Sequence, residues 1–332
     1  MLYPIKFKPQ YHYRIWGGSK LKKLMNKVDA PEKTGESWEI SAVENSLSVV
    51  ANGFLNGNTI EEIAEIYMGD LLGDSVYEKF GPEFPLLIKL IDANDILSIQ
   101  VHPDDKLAAS RHSAYGKTEM WHIIDSDPGS SLFSGFKQEM SKESYLEAMK
   151  NGNIKDFLNE EKAGPGDTFY IPAGRVHATG AGILFAEIQQ TSDITYRIYD
   201  WDRVDVNGTA RDLHTDLAVD AIDYKHHADY RTHYSKNKNQ ANELVSSPYF
   251  TVNYFPFDQV VDFDYQSLDS FVIYICLKGA CKVEFGNSGS ENLQTGETIL
   301  IPAALKNIRV NPSVATEILE VYINNPVTDN LS

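Results

Sequence analysis

Short apolar runs and strict alternation, rather than helical periodicity, dominate this chain. Runs at 86–91, 96–102, 168–171, 184–189, 271–277, 281–285 and 298–301 have strand length and turn residues at their ends, so they predict strands. The run at 86–91 is apolar on both faces apart from Lys89, which marks a buried sheet. The run ending at His102 alternates instead. Leu97, Ile99 and Val101 fall on one face, and Ser98, Gln100 and His102 on the other. Helical signals are fewer. Thr59 and Glu62 form a capping box that opens a helix over 60–67, with Ile60, Ile63 and Ala64 on one face. Ser141 caps a second helix through 149, and Asn151-Gly152-Asn153 stops it. Stretches 204–215 and 235–240 are polar and turn-rich; the latter is the best linker and places a domain division near 235.

One unit is used twice. Residues 166–177 read GDTFYIPAGRVH, and an echo, GETILIPAALKN, occupies 296–307. Both copies keep the opening glycine and the closing Ile-Pro-Ala, but only the first ends in a histidine, His177; the second ends in Asn307. The offset is too long for a solenoid period and suits two small domains, with chemistry in the first and scaffold in the second.

Composition narrows the class. A chain of 332 residues suits two domains, and 42% hydrophobic content is that of a globular protein. No apolar run approaches the roughly 20 residues that cross a bilayer, and the N-terminus carries no export signal, so a cytoplasmic protein without membrane association is expected. A formal net charge of −17 repels nucleic acid. A small anion can still bind where the few cations gather. Cys276 and Cys281 flank a Lys-Gly turn and are expected to be two buried thiols in a reducing compartment. Nothing in the sequence sets the oligomeric state.

Candidate chemistry starts from the polar row. Each unpaired polar group in a buried sheet costs about 1–3 kcal/mol. A metal would satisfy Gln100 and His102 together, because residues two apart point into one space. Glu119 offers a carboxylate on the next strand, and His177 an imidazole after the Pro172-Ala-Gly turn. His122, three residues beyond Glu119, has the opposite strand parity and is expected to be a packed histidine. Gln100, His102, Glu119 and His177 suit Zn²⁺, or Fe, Co or Mn, and leave positions open for water or substrate. The spacing Gly166-x5-Pro172-x-Gly174-x2-His177 resembles the second motif of the cupin superfamily.

The resemblance then sharpens. Trp16-Gly-Gly18, Gly35-Glu-Ser-Trp-Glu-Ile-Ser41, Ser98-Ile-Gln-Val-His-Pro103, Lys117-Thr-Glu-Met-Trp121 and Gln189-Gln-Thr-Ser-Asp-Ile-Thr-Tyr-Arg197 resemble the type I mannose-6-phosphate isomerase family. The likeness runs from about residue 3 to 225 and more weakly beyond. It implies a mainly β protein with two cupin-type (jelly-roll or β-barrel) domains and short helical inserts. Residues 1–235 would be the catalytic, metal-binding unit and 236–332 a degenerate unit without metal. It implies one zinc per chain, held by the same four residues, and interconversion of mannose 6-phosphate and fructose 6-phosphate. Its active-site residues fall on Lys89, Lys117, Asp193 and Arg197. The segment between Glu119 and His177 is too short for the large helical domain of the long eukaryotic form, so the chain resembles the short bacterial one.

Each cation also has a reading of its own. A lysine in mid-strand, as Lys89 is, needs a partner. Lys117, two residues from Glu119, points the same way and sets an ammonium beside the metal. Arg197 suits a two-pronged contact with phosphate or hydroxyl. Glu187 and Gln189 share one strand face, while Trp16, Trp38 and Trp121 are expected in the core. Moving a carbonyl between C1 and C2 of a ring-opened sugar proceeds through a cis-enediol. The base for that step stays open between metal-bound hydroxide, Glu119, Glu187, Asp193 and a lysine. Two other classes share parts of the pattern. An oxygen-using cupin metalloenzyme would lack a phosphate clamp and would consume oxygen. A non-catalytic sugar-binding cupin would have damaged ligands, and here all four are intact.

Overall fold

The computed structural model describes residues 1–204 and 207–324. Two pairs of antiparallel sheets form two barrel-like units. In the first, a six-stranded sheet runs in the order Gln10–Gly18, Thr34–Ile40, Leu86–Ala93, Ile183–Gln190, Glu119–Ser126, Thr168–Ile171. It faces a five-stranded sheet ordered Tyr196–Tyr199, Ile99–Val101, His177–Thr179, Ser131–Phe136, Leu158–Lys162. In the second, Asn242–Ser246, Thr251–Phe257, Thr316–Tyr322, Val272–Lys278 and Thr298–Ile301 make one sheet. Val261–Asp264, Asn307–Pro312, Ala280–Phe285 and Gly289–Gln294 make the other.

The doubly apolar strand Leu86–Ala93 has a structural cause. Leu86, Ile88 and Leu90 pack into a core shared with Leu244, Val252, Ile273, Leu319 and Val321 of the second unit. The opposite face turns into the first barrel, where Ile91 joins Trp121, Ile123 and Phe185, and where Lys89 points. His122 lies in the layer between the units, with its Nδ1 2.9 Å from Thr168 Oγ1 and its ring stacked on Tyr254. Burial, with Lys236 adding to it, pushes its pKa down to about 3, so it is neutral. The first residues of the chain also reach the second unit, since Ile5 and Leu300 exchange two backbone hydrogen bonds.

The repeat is visible in the backbone. Gly166 and Gly296 both open their strands in the left-handed region, at φ 81° and 84°. At Gly296 a Cβ would fall 1.9 Å from Met25 O, so a side chain is excluded there. His177 is buried in the first barrel, whereas Asn307 is exposed and the next residue, Ile308, turns into the second core. Cys276 and Cys281 are buried and free.

Several elements depart from the sequence reading. The strand expected over 96–102 is Ile99–Val101, because Arg203 Nη1 takes the Ile96 carbonyl and Trp201 Nε1 takes that of Leu97 (2.7 Å). Leu97 therefore packs with Ile15 against the inner cluster instead of sharing the outer face with Ile99 and Val101. The helix opened by the Thr59 box runs on as Ile60–Leu72, with a non-helical Met68 at φ 46°. Lys142–Lys150 follows Ser141 as expected. Helices Lys20–Leu24, Asp74–Phe80, Asp105–His112 and Thr215–Ala221 were not anticipated. In the stretch 204–215, positions 205 and 206 lie outside the described residues.

Candidate metal centre and cleft

Cross-strand register brings the functional side chains together. In the five-stranded sheet Arg197 lies opposite Gln100, Gln100 opposite His177, and His177 opposite Ser134. Directly opposed residues project from the same face, so one row carries Arg197, Gln100 and His177 into the barrel. In the six-stranded sheet the row is Trp38, Lys89, Glu187, Trp121. Two residues along, on the same face, Glu119 lies opposite Gln189.

The two faces meet at a buried cluster. His102, Glu119 and His177 each bring a donor atom within 4.8 Å of the others, and all three are buried. Glu119 Oε1 lies 3.2 Å from His177 Nε2, and Oε2 lies 3.4 Å from His102 Nε2 and 3.2 Å from Lys117 Nζ. Among the described residues, neither Glu119 oxygen has a satisfactory hydrogen-bond partner. The imidazoles are oriented from behind: His102 Nδ1 donates to Ile194 O (3.0 Å) and His177 Nδ1 to Arg175 O (2.8 Å). That tautomer leaves both Nε2 lone pairs aimed at the carboxylate. Gln100 Nε2 lies 3.1 Å from His177 Nε2, and an amide flip puts its oxygen there instead.

Electrostatics agree with this donor set. Burial raises the Glu119 carboxyl, but Lys117, His102 and His177 outweigh it and hold the group well below the usual range. Burial, followed by Lys117, pushes His102 down to about 3, and burial lowers His177. At neutral pH the site therefore offers one carboxylate and two neutral imidazoles. A buried carboxylate without a well-formed hydrogen bond among the described residues, facing two imidazole Nε2 atoms with Lys117 beside it, fits a divalent ion of the zinc type.

Above the cluster opens a cleft of about 560 Å³, bordered by Gln100, Lys117, Lys89, Glu187, Asp193 and Arg197. Lys89 Nζ bonds Glu187 Oε1 at 2.9 Å, and the other oxygen of Glu187 accepts from Trp121 Nε1 at 2.8 Å. Burial lowers the Lys89 pKa, but Glu187 and Glu36 more than offset it, so the net shift is upward. Arg197 donates through Nη1 to Asp212 O (2.8 Å), while its buried Nε has no partner among the described residues. Burial and then Arg211 lower its pKa. Asp193 is exposed where it borders the cleft.

The opposite wall was missed by the sequence reading. His12, Arg14, Glu36 and Arg211 border the cleft; Trp16 and Trp38 are buried, as expected, and also present part of their surface to it. Glu36 is held at about 2, since Lys89 and Arg14 together overcome its burial. Arg211 is fixed by Asp200, through Nε at 2.8 Å and Nη2 at 2.6 Å. Residues His12 to Trp16 all border the cleft, and the pairing of this strand with Thr34–Ile40 shifts register at His12/Tyr13, so no simple alternation marked this wall in the sequence.

Two barrel-like units, the first with a buried His-Glu-His cluster that could hold a metal ion, define a cupin-type protein. Residues 5–122 match the family model for the catalytic domain of type I phosphomannose isomerase. The chain is 35% identical over 308 residues to the mannose-6-phosphate isomerase of Streptococcus mutans, covering 92% of this chain and 95% of that one. It is 40% identical over 224 residues to mannose-6-phosphate isomerase ManA of Bacillus subtilis, covering 66% and 68%. The crystal structure of the mannose 6-phosphate isomerase from Bacillus subtilis superposes with a TM-score of 0.87 at 32% identity, covering 97% of this chain and 99% of that one. The chain belongs to the type I mannose-6-phosphate isomerase family and is an isomerase of that family.

Proposed function

We propose that this enzyme interconverts mannose 6-phosphate and fructose 6-phosphate through a cis-enediol, with one zinc-type ion held by Gln100, His102, Glu119 and His177. The observation that carries the reading is the buried Glu119 carboxylate facing the Nε2 atoms of two imidazoles, under a cleft where five of the chain's cations gather although its net charge is −17. Bound there, the ion would act as a Lewis acid toward the sugar oxygens at C1 and C2. Lys117 adds a fixed positive charge beside it, where negative charge develops. Arg197, at the far side of Gln100 from His177, holds the phosphate and so aligns the carbon chain. Residues 1–235 supply this machinery and 236–332 supply none of it.

Among the described residues, the carboxylates bordering the cleft are Glu36, Glu187 and Asp193. Glu36 is engaged by Arg14 and Trp38, and Glu187 by Lys89 and Trp121. We therefore assign proton transfer between C1 and C2 to Asp193. Asp193→Asn should keep its metal and lose exchange of the C2 proton with solvent, measured by NMR in D₂O. Undiminished exchange would remove Asp193 from that role. The reading as a whole is tested by a coupled assay on mannose 6-phosphate before and after chelation. Turnover should vanish with the metal and return with about one equivalent of zinc. A chelated enzyme of full activity, or a second equivalent bound as tightly, contradicts the proposal.

A further inference from the structure

Lys117 does not sit on a regular strand; it precedes Glu119–Ser126 in an irregular stretch. Its ammonium nevertheless lies 3.2 Å from Glu119 Oε2 and 3.3 Å from His102 Nε2. The sheet ladder does not hold this segment, so its backbone must be fixed by other means. Three successive amides each have a defined acceptor. Gly116 N–H donates to Asp105 Oδ1 (2.8 Å), Lys117 N–H to Pro103 O (3.1 Å), and Thr118 N–H to Gln190 Oε1 (2.9 Å). The two side-chain acceptors are themselves joined, because Gln190 Nε2 donates to the same Asp105 Oδ1 at 2.9 Å. Gln190 also donates its backbone N–H to Thr118 O (3.1 Å), so both its backbone and its side chain grip residue 118. Gly116 packs closely on the start of helix Asp105–His112, since a Cβ there would fall 2.5 Å from Asp105 N.

We propose that Asp105 and Gln190 form a clamp that positions Lys117, Asp105 bonding the residue before it and Gln190 the residue after it. Both are positioning residues, for neither borders the cleft. Asp105 belongs to the first turn of Asp105–His112, and the buried Gln190 ends the strand that carries Glu187. The clamp thus ties the ammonium to a helix and to the central strand of the barrel. This inference rests on the isomerase reading only for the role of Lys117, and not for the clamp itself.

The test is Gln190→Met, which keeps side-chain length and removes both amide bonds. Misplacing a reacting group by about 1 Å can cost on the order of 10²-fold. A kcat loss of that order is expected, with KM near wild type and zinc content unchanged. Asp105→Ala should behave alike, whereas Asp105→Asn retains an acceptor oxygen and should restore most of the turnover. In a Lys117→Met background, Gln190→Met should add little further loss, because two residues that act through one group are not additive. Amide hydrogen exchange at 116–118 should quicken in Gln190→Met whether or not the enzyme turns over mannose 6-phosphate. Unchanged exchange there, wild-type kcat, full additivity with Lys117→Met, or loss of zinc would each overturn the clamp. An inactive wild type whose exchange responds as stated would fail the isomerase reading and leave the clamp standing.

Discussion

His177→Ala is expected to lose metal and turnover together. The imidazole is one of three buried donors within 4.8 Å of one another, and its Nδ1 is already fixed by the Arg175 carbonyl. Loss of an outer partner alone typically costs about 10–100-fold in metal affinity, and removing a ligand should cost more. The substitution also opens space beside Glu119, leaving that carboxylate to Lys117 and His102. The control is His122→Ala on the same strand as Glu119. His122 packs outward against Tyr254 and Thr168, so its loss should lower stability by about 1–3 kcal/mol and leave metal content intact. Metal analysis beside thermal unfolding reads both variants. A metal-free His122→Ala beside a metal-replete His177→Ala would reverse the strand register on which the site is built.

The clustering of His102, Glu119 and His177 was legible because local rules aim these side chains. Period-two alternation aimed Gln100 and His102 at one space, and separated Glu119 from His122. The rest depended on contacts that no local window contains. Leu97 left its expected face because Trp201 and Arg203 reach back to the carbonyls of residues 97 and 96. Helix Asp105–His112 has a good cap in Asp104, yet only Ala108 is buried along it, so it shows no apolar periodicity. The wall of His12, Arg14 and Glu36 comes from strands whose aromatic and polar residues resemble an ordinary half-buried ladder.

The decay of the repeat likewise becomes readable only through register. Phe169 and Ile299 are equivalent positions of the two copies. From Phe169 the row runs to Trp121, Glu187 and Lys89; from Ile299 it runs to Tyr274, Glu320 and Asn253. The second row keeps the buried glutamate but surrounds it with neutral donors, Asn253 Nδ2 at 2.8 Å and the Tyr265 hydroxyl at 2.5 Å. Burial raises the Glu320 pKa, and among the described residues no cation bonds to it as Lys89 bonds to Glu187. One row further, Ile171 pairs with Glu119, whereas Ile301 pairs with Val272. An apolar side chain thus stands where the first barrel has its carboxylate donor.

Arg197→Ala should separate a sugar phosphate from a neutral sugar. A chain of net charge −17 has no bulk field to draw in an anion, so recognition falls to a few fixed cations. Arg211 has its Nε and Nη2 committed to Asp200, while Arg197 keeps a buried Nε without a partner among the described residues. Truncating one partner of a buried, hydrogen-bonded charge pair costs about 2–5 kcal/mol. That corresponds to roughly a 30- to 5,000-fold loss in kcat/KM on mannose 6-phosphate. Arg197→Lys keeps the charge but not the fork, and should cost about 1.5–3 kcal/mol, nearer a 10- to 150-fold loss. Zinc content should stay constant in both, because Arg197 lies across Gln100 from the cluster rather than in it. Free mannose should be a poor substrate from the start and should barely respond to either substitution. If the wild type turned over mannose and mannose 6-phosphate equally, no phosphate clamp would be at work, and the assignment of a sugar phosphate to this cleft would fall with it.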